Sequence, residues 1–210
     1  MNTQPSRFTL KECPAEQLED WIKVLMQYIQ KSCSNIGREY EPLHKNTLRE
    51  LALYAIRDKS FKGNLNKGIM FIGDVGSGKT FAMDALCKVL TDINRSPVMS
   101  TSSRDIAKTF RRGSEYMFSL EDKIERAPIM FIDDLADEVD SSKVYGTEIF
   151  VGYEVLSTRY DAWVNKGFIT LATSNIDREN LLKKYGKRID SRIEQMFNVV
   201  VFDGIDLRKK

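Results

Sequence analysis

One histidine and three cysteines in 210 residues are too few for several kinds of chemistry. Cys13, Cys33 and Cys87 are odd in number and form no C-x-x-C pair, which argues against a disulfide framework or a zinc knuckle and leaves reduced, structural thiols as the expectation. Cys87 reads most simply as a small buried residue, and His44, without a cluster of other ligands, is assigned no chemistry. Long apolar runs are also missing. "GIMFIG" and "PIMFID" are far too short to span a bilayer, and "MNTQPSRFTL" lacks the hydrophobic stretch of a signal peptide, so a cytoplasmic protein with no membrane partner is expected. Neither sign of charge dominates: Lys+Arg 32 against Asp+Glu 30 leaves a formal +2, and any nucleic-acid contact must come from a local basic patch. There are no internal repeats and no low-complexity tracts.

What is present is enough apolar residue, 42% of the chain, for one substantial core and a small appendage. The first segment, "PAEQLEDWIKVLMQYIQKSC", carries Leu18, Trp21, Ile22, Leu25 and Ile29 at helical spacing behind Pro14, a natural first-turn residue. Gly37 and Pro42 break that pattern, and a second helix with Leu48, Leu51, Ala55 and Ile56 follows. The expected division is a helical segment over 1–42, whose apolar stripe would suit a protein partner, and a nucleotide-binding domain over 43–210. From Gly68 short apolar strands alternate with helices: "GIMFIG", a helix from Lys79, "PVMST", a helix near Arg104, "APIMFIDD", a helix around Ile149 to Trp163, "GFITLATSN", a helix over "YGKRIDSRIEQMF", and "NVVVFDG". Continuous apolar strands joined by crossover-length helices predict an α/β fold whose parallel sheet is covered on both faces.

The chemistry starts at "GDVGSGKT", residues 73–80, which fits G-x-x-x-x-G-K-[ST] between a strand and a helix. In that setting backbone N–H groups wrap phosphates and the new helix points its positive end at them. Gly73, Asp74, Val75, Gly76, Ser77, Gly78, Lys79, Thr80 and the adjoining Phe81 are therefore the expected ATP-binding residues. Lys79 would reach the β- and γ-phosphates, and the Thr80 hydroxyl would bind Mg²⁺. "IMFIDDL" ends an apolar strand in two acids: Asp133 is the expected partner of Mg²⁺, and Asp134 the carboxylate that polarises the attacking water. The strand "FITLATSN" ends in Thr173, Ser174 and Asn175. Asn175 is placed to bond the water and a γ-phosphate oxygen, and the same stretch also suits an N-cap for the helix opening at "NIDREN". Arg188 and Arg192 share a helix face and need a partner, for which the local sequence offers only Asp190 and Glu194.

"GDVGSGKT", "IMFIDDL", "LATSN", "RIDSRI" and "FDGIDLR" occur in an order that resembles the DnaC/DnaI/IstB branch of AAA+ ATPases, over about residues 45–210. The resemblance implies a P-loop NTPase with a parallel five-stranded sheet of order 5-1-4-3-2, without a C-terminal helical lid. It places Asn175 at the sensor-1 position, Arg192 at the arginine finger that completes the ATP site of an adjacent subunit, and Arg208 at the second sensor position. Asp133-Asp134 replaces the Asp-Glu of many AAA+ members. The branch uses the region matching "STSSRDIAKTFRR" for single-stranded DNA, and Arg104, Lys108 and Arg111 fall on one helical face there. The implied activity is a DNA-stimulated ATPase that assembles on DNA as a spiral or ring of identical subunits and loads a replicative helicase. The alternatives are an IstB-type transposition ATPase and a nucleotide-gated assembly protein with little turnover.

Overall fold

Ile69, Met70, Phe71 and Ile72 are buried in succession, so the strand they form, β1 (Gly68–Ile72), has no side turned to water. The computed structural model describes residues 7–35, 45–111, 114–137, 142–144, 147–149 and 151–202, and its contacts divide the chain into two compact units. One contains Met1–Thr9, Asn66–Ser77 and Met99–Lys210, and the other contains Leu10–Leu65 and Gly78–Val98.

The first unit holds the sheet. Its strands are β1, β2 (Met99–Ser102), β3 (Ile129–Asp133), β6 (Ile169–Ser174) and β7 (Phe197–Val201), in the order β2-β3-β6-β1-β7 with every pair parallel. Counting only these five, the order is the expected 5-1-4-3-2. The register sets Met70 and Ile132 beside Ala172, and these residues share one cluster with Ile106, Ile124, Val155, Leu156, Ile189 and Ile193 from the helices. Those helices are α4 (Ser103–Arg111), α5 (Ser114–Arg126), α6 (Val151–Lys166) and α7 (Arg178–Met196).

Several elements depart from the sequence reading. Where one helix was expected near Arg104 there are two, α4 and α5, and the interval between them contains the helix breaker Gly113. An antiparallel pair, β4 (Ser142–Val144) and β5 (Thr147–Ile149), precedes α6; strands of three residues are too short to display an alternation in sequence. Phe197, expected as the last residue of the helix "YGKRIDSRIEQMF", has extended backbone and opens β7 opposite Gly68. Gly186 interrupts α7 with φ 79° and ψ 170°, a conformation open essentially to glycine alone, so the two halves of the helix meet at a kink.

In the second unit α1 (Leu18–Ser34) follows a 3₁₀ turn at Ala15–Gln17 and packs against α2 (Lys45–Ile56) and α3 (Lys79–Asn94). Leu25, Ile29 and Cys33 supply the buried side of α1, and Tyr28 donates a 2.8 Å hydrogen bond to Asp92 of α3. Of the stripe expected to suit a protein partner, Leu25 and Ile29 are buried in this unit, and Leu18, Trp21 and Ile22 are half-buried. The compact units do not part near residue 42, because α1 shares a core with α2 and α3.

One buried cation ties the sheet unit together. Arg159 of α6 is 0% exposed and pairs with no carboxylate among the described residues; it donates to Thr170 Oγ1 (2.8 Å), Ile124 O (2.7 Å), Ala127 O (2.8 Å) and Ile169 O (2.9 Å). Ile124 and Ala127 lie at the C-terminal end of α5, where unpaired carbonyls and the helix dipole favour a positive charge. Burial lowers its pKa to about 10, so the guanidinium stays charged at neutral pH. Replacing Arg159 with Met should strand several of these acceptors and cost about 2–4 kcal/mol, a midpoint drop of roughly 5–10 °C. Chemical and thermal denaturation measure it, and a loss below about 0.5 kcal/mol would show that the fork is dispensable.

Candidate functional site

Because the sheet is parallel, β1, β3 and β6 release their chains at the same edge, and these three strands are neighbours. β1 runs into residues 73–80. Gly73 has φ 146°, and a Cβ there would lie 2.5 Å from Phe202 O, so the position needs glycine for the close approach of the chain after β7 as well as for its turn. Within the loop, Ser77 N and Ser77 Oγ both donate to Asp74 O, at 3.4 and 2.9 Å. Asp74 and Val75 are exposed, Gly76, Thr80 and Phe81 half-buried, and Ser77 and Lys79 buried. Gly78, with φ 92°, precedes the first residue of α3, Lys79; no side chain caps that helix and no acid stands in its first turn. A helix that begins without its own acceptor is suited to an anion.

β3 ends in Asp133, and Thr173 of β6 organises the stretch from Asp133 to Leu135. Thr173 Oγ1 donates a short hydrogen bond to Asp133 Oδ1 and accepts from Asp134 N at 3.0 Å; its carbonyl accepts from Leu135 N at 2.8 Å. Ser174 Oγ donates to Leu135 O at 2.8 Å. Asp134 takes φ 51°, and its Oδ1 accepts from Asn175 Nδ2 at 2.9 Å. The structure thus brings Asp133, Asp134 and Asn175 together. Asn175 is not the cap of the next helix: that is Asp177, whose carboxylate accepts from Asn180 N at 2.8 Å. Thr173 and Ser174 are contributors whose roles the sequence reading missed, although "TSN" at a strand end was their signal.

Three further groups hold the turn Asp134–Asp137, which a 3.0 Å bond from Asp137 N to Asp134 O closes. Ser103 Oγ donates to Asp134 O, Lys184 Nζ donates to Ala136 O at 2.7 Å, and Arg104 Nη2 stands 2.6 Å from Asp137 Oδ2. Burial, and then the charge of Asp133, pushes the Asp134 carboxyl above its ordinary value; the Asn175 amide and Arg104 oppose the shift.

The candidate DNA residues are spread along α4, which follows β2 directly. Ser102 and Asp105 form a reciprocal cap: Asp105 N donates to Ser102 Oγ at 3.1 Å, and that hydroxyl donates to Asp105 Oδ2 at 2.9 Å. Lys108 pairs with Asp105 at 3.1 Å and Arg104 with Asp137, so two of the three expected phosphate contacts already have acidic partners. Arg111 is in α4, but its side chain is outside the described ones, and Arg208 lies outside the described residues.

Arg188 and Arg192 do not use the carboxylates beside them in sequence. Arg178, at the start of α7, reaches across the kink to both, Asp190 at 3.0 Å and Glu194 at 3.2 Å. Arg188 is exposed, and the Arg192 guanidinium carbon sits 4.8 Å from the centroid of the Tyr160 ring on α6.

No protein-family model and no curated protein matches the sequence. Solved structures do match the fold. The crystal structure of DnaI aligns with 91% of this chain and 100% of its own at TM-score 0.63 and 17% identity, and the DnaC helicase loader with 78% and 94% at 0.58 and 19%. Replication initiator DnaA bound to AMPPCP and single-stranded DNA aligns with 72% of this chain and 45% of its own, at TM-score 0.52 and 16% identity. The fold is that of the AAA+ P-loop NTPases.

Several groups of the chain have the chemistry that a nucleotide phosphate and its metal ion need. The uncapped start of α3 and the buried Lys79 suit phosphate, and Mg²⁺ is ordinarily held by one or two protein oxygens together with phosphate oxygens, chemistry that the hydroxyl of Thr80 and the carboxylate of Asp133 each possess. Among the described residues no cluster of three or more His, Cys, Asp or Glu forms a metal site made of protein alone, and no helix is long and apolar enough to cross a membrane.

A carboxyl whose pKa is raised by folding opposes folding once it ionises, and that penalty is absent below the ordinary value of 3.8 and complete above the raised value. Asp134→Asn keeps the acceptor for Asn175 and removes the charge. Its thermal midpoint should exceed wild type by about 1–3 °C at pH 7, and the gain should vanish below about pH 3.5. Scanning calorimetry at both pH values checks this; an unchanged or lower midpoint at pH 7 contradicts the assigned strain.

Proposed function

We propose that the chain is an AAA+ ATPase that assembles on single-stranded DNA and loads a replicative helicase. The observation that carries the reading is the Asp133-Asp134-Asn175 group, fixed by Thr173 at the ends of β3 and β6, on the same sheet edge from which β1 enters "GDVGSGKT". The likeness in fold to the DnaC helicase loader and to DnaI supports the helicase as partner, and the likeness to DnaA bound to AMPPCP and single-stranded DNA supports the nucleotide and the strand.

In this reading Gly73 to Phe81 bind ATP, with Lys79 neutralising the β- and γ-phosphates and Thr80 and Asp133 holding Mg²⁺. Bound Mg²⁺ supplies charge neutralisation at the phosphate oxygens. Asp134 accepts a hydrogen bond from the attacking water, and its raised pKa improves its match to a base working near neutrality. The amide of Asn175 fixes the carboxylate and faces the same water. Arg192 acts on the ATP of an adjacent subunit, with Arg208 as a further contact to the nucleotide. Arg104, Lys108 and Arg111 contact the phosphates of DNA, and Arg104 and Lys108 exchange their carboxylate partners for phosphate in doing so.

Complementation between subunits tests the core of this proposal. Lys79→Ala should abolish Mg-ATP binding, and Arg192→Ala should bind ATP as wild type does yet hydrolyse poorly. Mixed, the two should regain turnover that rises with total concentration, because a competent site forms only between unlike subunits. A mixture that stays inactive where wild type is active would return Arg192 to a role within its own subunit. Replacing Arg104, Lys108 and Arg111 together should flatten the log–log salt dependence of single-stranded DNA affinity by about 2 units. An unchanged slope moves the DNA contact elsewhere.

A further inference from the structure

Arg192 is held by a partner that takes none of its hydrogen-bonding capacity. Its guanidinium carbon lies 4.8 Å from the Tyr160 centroid, and its Nη1 is buried with no hydrogen-bond acceptor among the described residues. The carboxylates that would otherwise bind it, Asp190 and Glu194, are engaged by Arg178. A carboxylate would occupy a pair of guanidinium donors, whereas an aromatic face meets the flat side of the group and leaves the N–H bonds, which lie in its plane, unspent.

The ring itself is fixed to the turn of α7 that bears the arginine. Tyr160 Oη donates to Gln195 Oε1 at 3.0 Å, Gln195 Nε2 donates to Ser191 O at 3.3 Å, and the Trp163 ring stands 5.9 Å from the Tyr160 ring. The ring against the guanidinium is therefore tied through the Gln195 amide to the backbone of α7.

We propose that Tyr160 is the positioning residue for Arg192, holding the guanidinium carbon over its ring so that the donors other than the buried Nη1 reach an anionic phosphoryl group on an adjacent subunit. This rests on the reading of Arg192 as a residue acting in trans. Tyr160 touches no reacting atom; it narrows the rotamers of a long side chain without competing for its donors. A leucine there would keep the α6–α7 packing apolar but offer no π face, and a phenylalanine would keep the face and lose only the bond to Gln195.

The test reads the arginine of one subunit through the pocket of another, with full-length chains, Mg-ATP and an oligothymidylate strand. Arg192→Ala subunits supply an intact pocket; Lys79→Ala subunits supply an intact arginine; and the Lys79→Ala/Tyr160→Leu double variant supplies an arginine without its platform. The double variant should restore about tenfold less turnover than Lys79→Ala does. Tyr160→Phe in the same background should restore at least half. As a single substitution Tyr160→Leu should lower kcat about tenfold with the KM for ATP unchanged. Tyr160→Met is made in parallel, and thermal midpoints identify which variant is folded. Equal restoration by the Leu and Tyr subunits overturns the positioning role while leaving Arg192 in trans. Equal failure of Phe and Leu overturns stacking as the cause. No restoration by Lys79→Ala itself removes the trans reading, and the proposal falls with it.

Discussion

Two carboxylates in succession at the end of a strand repel each other, and much of the sheet unit is arranged to contain that repulsion. Thr173 donates to Asp133 and accepts from the backbone of Asp134, so a single hydroxyl fixes both residues. The left-handed backbone at Asp134 turns its carboxylate toward the Asn175 amide. That turn would be costly for an isolated aspartate, and it persists because Ser103, Arg104 and Lys184 hold the stretch from Asp134 to Asp137 from α4 and α7. β2, β3 and β6, with the helices after β2 and β6, are thus committed to one local geometry.

Three arginines of this unit take three kinds of partner. Arg159 is surrounded by carbonyl dipoles and one hydroxyl in the interior, where a carboxylate would bring a second desolvation cost. Arg178 takes two carboxylates on a half-exposed surface. Arg192 takes an aromatic face. The first arrangement builds the core, the second braces a helix, and the third restrains a cation without neutralising it.

The parallel sheet was legible because continuous runs such as "GIMFIG" and "PIMFID" have few other uses in a chain of this kind. The phosphate loop was legible because its spacing and flanks are tightly constrained. Strand order came from family resemblance, since apolar runs carry no information about their neighbours. The stripe of α1 was readable as a stripe, but its occupant was not: amphipathicity shows that a face will be covered and is silent about which chain covers it. Arg159 was missed because a charged residue in a helical pattern reads as surface, and only the converging carbonyls of α5 and β6 make an interior site for it. The competition for Asp190 and Glu194 was hidden for a related reason. Their partner Arg178 lies beyond ordinary helix-neighbour spacing, and it reaches them only because Gly186 bends the helix.

That bend makes α7 a jointed lever. Its first half is anchored by Lys184 to the turn after Asp134, its second half carries Arg188 and Arg192, and the brace across the joint consists of two ion pairs. The partners in that brace are substantially in contact with solvent, with Arg178 at 42% and Glu194 at 68% side-chain exposure, so mobile ions screen it where they barely reach Arg159. Added salt therefore weakens this brace more than it weakens the buried fork of Arg159, and leaves the packing of both arms on the sheet, through Leu181, Tyr185, Ile189, Ile193 and Met196, untouched.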